Sequence, residues 1–190
     1  VILGLNINHA DSSACLVING KIEFAIEEER FTRIKHYSQF PFNSINACLK
    51  HCNLLVEDID YLCVNYNPKA NFTSKLLYLT KNFFSLHGLK KLINFRKKLF
   101  LDSDLSSFLR KNNFNGKFIN VEHHVSHIAS SYLVSGFDNA IGLSIDGFGD
   151  FTSTASFICS KNKIKDIKRV IFPHSLGILY QSVTQFLGFK

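Results

Sequence analysis

Tryptophan and methionine are both absent from these 190 residues, whereas phenylalanine occurs 19 times. With Lys, Asn and Ile also frequent, this bias reads as compositional drift and points to no function. No apolar run reaches the roughly 18 residues needed to span a bilayer, and no signal peptide opens the chain, so no membrane association is expected. The cysteines number only five and are scattered: Cys15, Cys48, Cys52, Cys63 and Cys159. Cys48 and Cys52 are four apart on a predicted helix, but no second pair completes a zinc site, and small buried thiols in a reducing cytoplasm are expected. Charged residues make up only 19% against 46% hydrophobic, which excludes a disordered chain. Acidic residues are outnumbered 15 to 22, and the net charge of +7 favours anionic small molecules, nucleic acid or an acidic partner domain. The densest basic run, Lys90 to Lys98, has interleaved apolar residues and reads as an amphipathic helix with a solvated face. The chain starts at Val1 and stops at Lys190 just after a helical pattern, so both ends are expected to be cropped.

The apolar stretch 1–7 predicts a buried strand, and 14–18 a second. Asn19-Gly20 followed by 21–27 predicts a hairpin, because Asn-Gly supplies the positive φ of a type I′ turn. Pro41 precedes a predicted helix over 43–52, with Ile45, Cys48, Leu49 and Cys52 on one face. A short strand follows at 61–65. Residues 68–115 read as a mostly helical insertion. Strands are expected at 118–121, 140–146, 154–159 and 164–172, and helices at 123–135 and 176–186, the last capped by Ser175. The order divides into a first lobe over 1–137 and the start of a second over 138–190.

The chemistry concentrates between Val121 and Asp150. His123 and His127 are four residues apart, which stacks two imidazoles on one helix face as two ligands of one metal ion require. Asp146 ends an apolar strand and leads into Gly147-Phe148-Gly149, suiting a carboxylate ligand beside a backbone phosphate cradle. Gly147 and Gly149 permit close approach to phosphate or simply make a tight turn. His124 points about 100° away along the helix and reads as structural. Asp11, Ser12 and Ser13 lie in the first interstrand turn, where hydroxyls and N–H groups can hold phosphate or an acceptor. His9 and Asp11 are the catalytic candidates, His9 as general base. Glu27-Glu28-Glu29-Arg30 with Arg33 and Lys35 forms either a solvated salt-bridge network or, through Arg33 and Lys35, a contact to a phosphate-bearing substrate. Ser175 is first a helix cap, and its helix N-terminus can also receive an anion.

The strand, Gly-rich turn and strand pattern that restarts near Asp138 resembles the duplicated lobes of the actin, sugar kinase and heat-shock ATPase architecture. The implied fold class is α/β, with actin-like, ribonuclease H-like lobes, the first complete and the second truncated. Several long runs make the resemblance specific: His9-Ala10-Asp11-Ser12-Ser13-Ala14-Cys15, Glu27 through His36, Glu122-His123-His124-Val125-Ser126-His127, Asp146-Gly147-Phe148-Gly149-Asp150 and Pro173-His174-Ser175-Leu176-Gly177. Together they resemble the O-carbamoyltransferases of nodulation-factor and antibiotic biosynthesis, which are related to the tRNA threonylcarbamoyladenosine synthases. Ala10 between His9 and Asp11 departs from the family pattern. The resemblance implies that a C-terminal domain makes carbamoyl adenylate from carbamoyl phosphate and ATP. The N-terminal domain then moves the carbamoyl group to a hydroxyl of a sugar or natural-product acceptor. It implies a divalent metal, Fe²⁺ before Zn²⁺ or Mn²⁺, on His123, His127 and Asp146, with a further Asp from later sequence. No nucleic-acid or membrane partner is expected, a homodimer is allowed, and the cytoplasm is the expected compartment. A tRNA-modifying transferase and a plain ATPase or sugar kinase of the same fold stay open as alternatives.

Overall fold

The computed structural model describes residues 1–81 and 103–189. In chain order the described elements are β1 (Ile2–Asn6), β2 (Ser13–Ile18), β3 (Lys21–Glu27), α1 (Glu29–Thr32), α2 (Phe42–His51), β4 (Tyr61–Val64), α3 (Phe72–Lys81), α4 (Ser103–Lys111), β5 (Lys117–Asn120), α5 (His123–Tyr132), β6 (Asn139–Gly149), β7 (Thr152–Ser160), β8 (Lys163–Ile171) and α6 (Leu176–Phe186). They fall into two compact units. Among described residues the first holds 1–65 and 103–121, and the second 66–81 and 122–189. The sequence divides by strand pattern at 137/138; the contacts divide the chain at 121/122.

In the first unit, β1, β2 and β3 form an antiparallel meander, and β4 and β5 run parallel to β1 in the sheet order β3-β2-β1-β4-β5. Asn19 and Gly20 both have positive φ, 50° and 79°, as the type I′ hairpin requires. Alternation sends Leu3, Leu5, Ala14, Leu16, Leu62 and Val64 to one buried face. Helix α2 lies on β2 and β3 and buries Ile45, Cys48 and Leu49, one stripe at helical spacing. Its first turn is held by Glu28, which is 1% exposed. One Glu28 oxygen accepts from the Asn43 backbone N–H at 3.1 Å and the Asn43 amide at 2.6 Å. The other accepts from the Ser44 N–H and hydroxyl, both at 2.7 Å. Of the acidic cluster, Glu28 is thus a buried cap, while Glu27 makes the exposed 3.6 Å pair with Arg30.

The second unit has an antiparallel sheet in the order β6-β7-β8. Helix α5 packs on it through Ile128 and Tyr132, over Ala155, Phe157 and Cys159. Period-two alternation directs Ile141, Leu143 and Ile145 outward, all more than half exposed. Gly142 and Ser144 face α5, where they meet Ile128 and His124. Three antiparallel strands leading to a helix therefore occur twice, as β1-β2-β3 with α2 after the single turn of α1, and as β6-β7-β8 with α6. Strand β6 runs three residues beyond the expected Asp146 because the chain rejoins β7 at Gly149 after an irregularity that leaves 146–148 unpaired. The expected insertion is helical at α3 and α4, while the basic run at 90–98 lies outside the described residues. Among the described residues, no helix is long and apolar enough to cross a membrane.

Candidate metal centre

The irregularity in β6 and the first turn of α5 build the site within the second unit. A bulge lets a strand re-aim one side chain out of the ladder, and here that side chain is Asp146. The i,i+4 spacing on α5 brings His123 and His127 to one face. The His123 Nε2 atom lies 2.7 Å from Asp146 Oδ2 and 3.0 Å from His127 Nε2, and His127 Nε2 lies 3.6 Å from the same carboxylate oxygen. The three donor atoms therefore share one point. Ligands about 2.1 Å from an ion, set about 90–110° apart, stand about 3.0–3.4 Å from one another. The observed separations bracket that range, so these residues fit a divalent ion. The His123 side chain is 6% exposed, Asp146 32% and His127 52%, which gives the point one closed side and one open side.

The electrostatics of the carboxylate agree with that use. The imidazoles of His123 and His127, with help from the Gly147 N–H, hold the Asp146 carboxyl well below the usual carboxylate range against the opposing effect of burial. The facing Asp146 carboxylate raises the His127 pKa, partly opposed by burial. A carboxylate always ionised at neutral pH is the form a cation needs.

The supporting residues fix the geometry. His124 is fully buried, and its Nε2 lies 3.1 Å from the Thr152 carbonyl, which can only accept. Its Nδ1 then accepts from the Ser144 hydroxyl at 2.8 Å. Burial lowers the His124 pKa, so this ring is neutral and ties α5 to the sheet. Glu122 caps α5 by accepting from the Val125 N–H at 3.0 Å. Burial pushes the Glu122 carboxyl up, but Arg169, 2.9 Å away, and the helix N–H groups outweigh it and hold it below its ordinary value. Gly149 makes room for the donor ring: a Cβ there would stand 1.9 Å from His123 Cδ2. Gly147 donates to Asp146 Oδ1 at 2.6 Å. The Ser175 hydroxyl caps α6 by accepting from the Ile178 N–H at 3.1 Å, and sits 2.8 Å from the Gly147 carbonyl. Ser175 thereby links the start of α6 to the turn that carries Asp146.

The other predicted residues lie in the first unit. His9 is in the exposed β1–β2 loop. Asp11, at φ 63°, places Oδ1 3.1 Å from His36 Nδ1, a pair that the sequence reading missed. Ser12 is fully buried; its N–H donates to the Tyr37 carbonyl, and its hydroxyl has no hydrogen-bond partner among the described residues. Ser13 opens β2 opposite Asn6 and Glu27. Arg33 ends α1 in the left-handed region at φ 58°, and Arg33 and Lys35 are exposed without an ion pair among the described residues. All five cysteines are free thiols.

The chain matches the family described as Carbamoyltransferase N-terminus over residues 1–190. It belongs to that family. It is 36% identical to the uncharacterized protein sll1178 of Synechocystis sp., over 100% of this chain and 32% of that protein. It is 32% identical to nodulation protein NolNO of Sinorhizobium fredii, over 94% of this chain and 25% of NolNO. The chain thus spans a quarter to a third of the length of these relatives. Among solved structures, YeaZ from Pseudomonas aeruginosa superposes with a TM-score of 0.51 at 9% identity, covering 90% of this chain and 67% of YeaZ. That likeness concerns fold alone, and it bears out the actin-like, ribonuclease H-like α/β architecture.

Proposed function

We propose that this chain is the group-transfer part of an O-carbamoyltransferase, moving a carbamoyl group from carbamoyl adenylate to a hydroxyl of a sugar or natural-product acceptor. Family membership supports the reaction class. The observation that carries the site is the meeting of His123, His127 and Asp146 within 3.6 Å. Two imidazoles and one carboxylate suit Fe²⁺, with Zn²⁺ or Mn²⁺ as alternatives. A divalent ion held there would polarise the carbamoyl or phosphate oxygen and offset the charge that grows in the transition state.

The chain's own residues do the rest. Asp146 stays ionised, and Gly149 lets the His123 ring lie flush with the turn. His124 and Glu122 fix the helix that carries both imidazoles. In the transfer the acceptor oxygen bonds to the carbamoyl carbon, the bond from that carbon to the adenylate oxygen breaks, and AMP leaves. The hydroxyl proton passes to a base, for which His9 is the candidate, with Asp11 beside it in the same loop. Ser13, Arg33, Lys35 and the α6 N-terminus at Ser175 are proposed contacts for the anionic substrate, while Ser12, fully buried, supports its loop from behind. Activation of carbamoyl phosphate by ATP is assigned to a further domain of the whole protein.

Full-length protein should hold about one metal per chain and lose it on His127→Ala, read by elemental analysis. Unchanged metal content would defeat the ligand assignment. Incubation with carbamoyl phosphate, ATP and a hydroxyl acceptor should release AMP with carbamoylated product. Steady ATP hydrolysis without carbamoyl phosphate would favour the kinase reading instead.

A further inference from the structure

We infer that Asp150 is the positioning residue of the histidine pair, a carboxylate that sets the first turn of α5 from outside the helix. This inference rests on the metal reading above. Asp150 lies in the β6–β7 turn at φ 49°, followed by Phe151 at φ 72°. Left-handed backbone at two consecutive residues other than glycine is costly, and such strain collects where a site needs one geometry. The turn directs a single oxygen, Oδ2, at two backbone donors. It accepts from the His123 N–H at 2.9 Å and from the Asn67 N–H at 2.8 Å.

His123 is the first residue of α5, so its N–H has no partner inside the helix. Glu122 already serves another open donor of this turn, at Val125. The two carboxylates therefore occupy different N–H groups of one helix end, and both favour that end through its partial positive charge. They differ in what they hold. Glu122 is neutralised by Arg169 on β8. Asp150 joins the residue that bears the buried imidazole to the segment leading into α3. Asn71 reinforces the junction, its amide donating to the Asp150 carbonyl and the Thr152 hydroxyl, both at 2.9 Å. The His123 ring is closely bounded. Gly149 is under one side, Asp146 is at its Nε2, and its backbone is pinned by Asp150. A shift of the first turn would move Nε2 relative to Asp146, while His127, one turn on and half exposed, can follow. Asp150 has no direct part in ligation in this arrangement. It acts through His123.

The test uses full-length protein stripped of metal and titrated with Zn²⁺ against a chromophoric chelator, with thermal unfolding measured beside it. Asp150→Ala should weaken Zn²⁺ binding about 10–100-fold, as loss of a partner behind a ligand does. Asp150→Asn keeps an oxygen that can accept both N–H groups, and should stay within about threefold of the parent. Co²⁺ spectra should keep their band positions in both variants, since the ligand set is unchanged. An Asp150→Ala affinity within threefold of the parent overturns the inference. So does an Asp150→Asn as weak as the Ala variant, which would mark a role for the charge itself. If Asp150→Ala does not fold, Asp150→Ser, whose oxygen stops short of both amides, takes its place with the same two criteria. His123→Ala and His127→Ala are run alongside. If these two keep the parent's affinity, the metal reading itself has failed; if they lose it while Asp150→Ala does not, only the positioning role has failed.

Discussion

The two copies of the three-strand motif each place an aspartate beside a histidine, and they do it with opposite results. In the first copy, Asp11 meets His36 at 3.1 Å on the surface, with the side chains 48% and 77% exposed. In the second, Asp146 meets His123 at 2.7 Å, with His123 only 6% exposed, and a second imidazole completes the cluster. The interstrand loops also differ. The first is held by amides: Asn6 donates to the carbonyls of Ala10 and Asp11, and Asn65 donates to Asn6. The second is held by carboxylates and a close glycine. An exposed ion pair is worth little because water screens it. The same two functional groups converge into the proposed cation site only where burial, a bulge and an i,i+4 helix bring them together. The buried carboxylate of the first copy, Glu28, is fully used in capping α2.

The sharpest way to separate the copies is therefore Glu28→Ala. It leaves the Asn43 and Ser44 donors without their acceptor in a buried place, and each such loss costs about 1–3 kcal/mol. A destabilisation of about 3 kcal/mol or more is expected, seen as a lower urea midpoint. Zn²⁺ affinity of the folded protein should not change. A variant that keeps its midpoint would break the assignment of Glu28 as the structural carboxylate.

Gly149→Ala is the next largest and acts on the other copy. A Cβ 1.9 Å from His123 Cδ2 forces either the ring or the turn to move. Overpacking of this kind costs about 1–3 kcal/mol. Unlike Glu28→Ala, it should also weaken Zn²⁺ binding, because the displaced ring carries a donor. Wild-type metal affinity in Gly149→Ala would show that the ring sits elsewhere.

The contrast explains what was legible from sequence. The strands of both meanders, the Asn19-Gly20 hairpin, α2 and α6 follow from local periodicity and turn chemistry, and so does the meeting of His123 with His127. Asp146 was legible because the Gly-x-Gly turn after an apolar strand has its own signature. The supports were not legible. Asp150 reaches Asn67, and Glu122 reaches Arg169, across separations that no local pattern encodes. Glu28 was concealed for a different reason: three successive glutamates read as a solvated face, and only the arrival of α2 buries the middle one. Helix α5 also ends at Tyr132, three residues before the expected Ser135, because Leu133 already serves as its C-cap.

The smallest expected effect belongs to the surface pair. Asp11→Asn keeps the backbone carbonyl that accepts from Asn6 and keeps a side chain suited to the left-handed region at φ 63°. What it removes is one screened contact to His36, worth about 0–1 kcal/mol at most. The urea midpoint should scarcely move, and Zn²⁺ affinity should match the parent. Carbamoyl transfer is the discriminating measurement. If Asp11 orients His9 or the acceptor in the proposed reaction, turnover should fall while stability and metal content hold, which would set this loop apart from both Glu28 and Gly149. Full turnover in Asp11→Asn would remove Asp11 from the catalytic set and leave its pair with His36 as a surface contact.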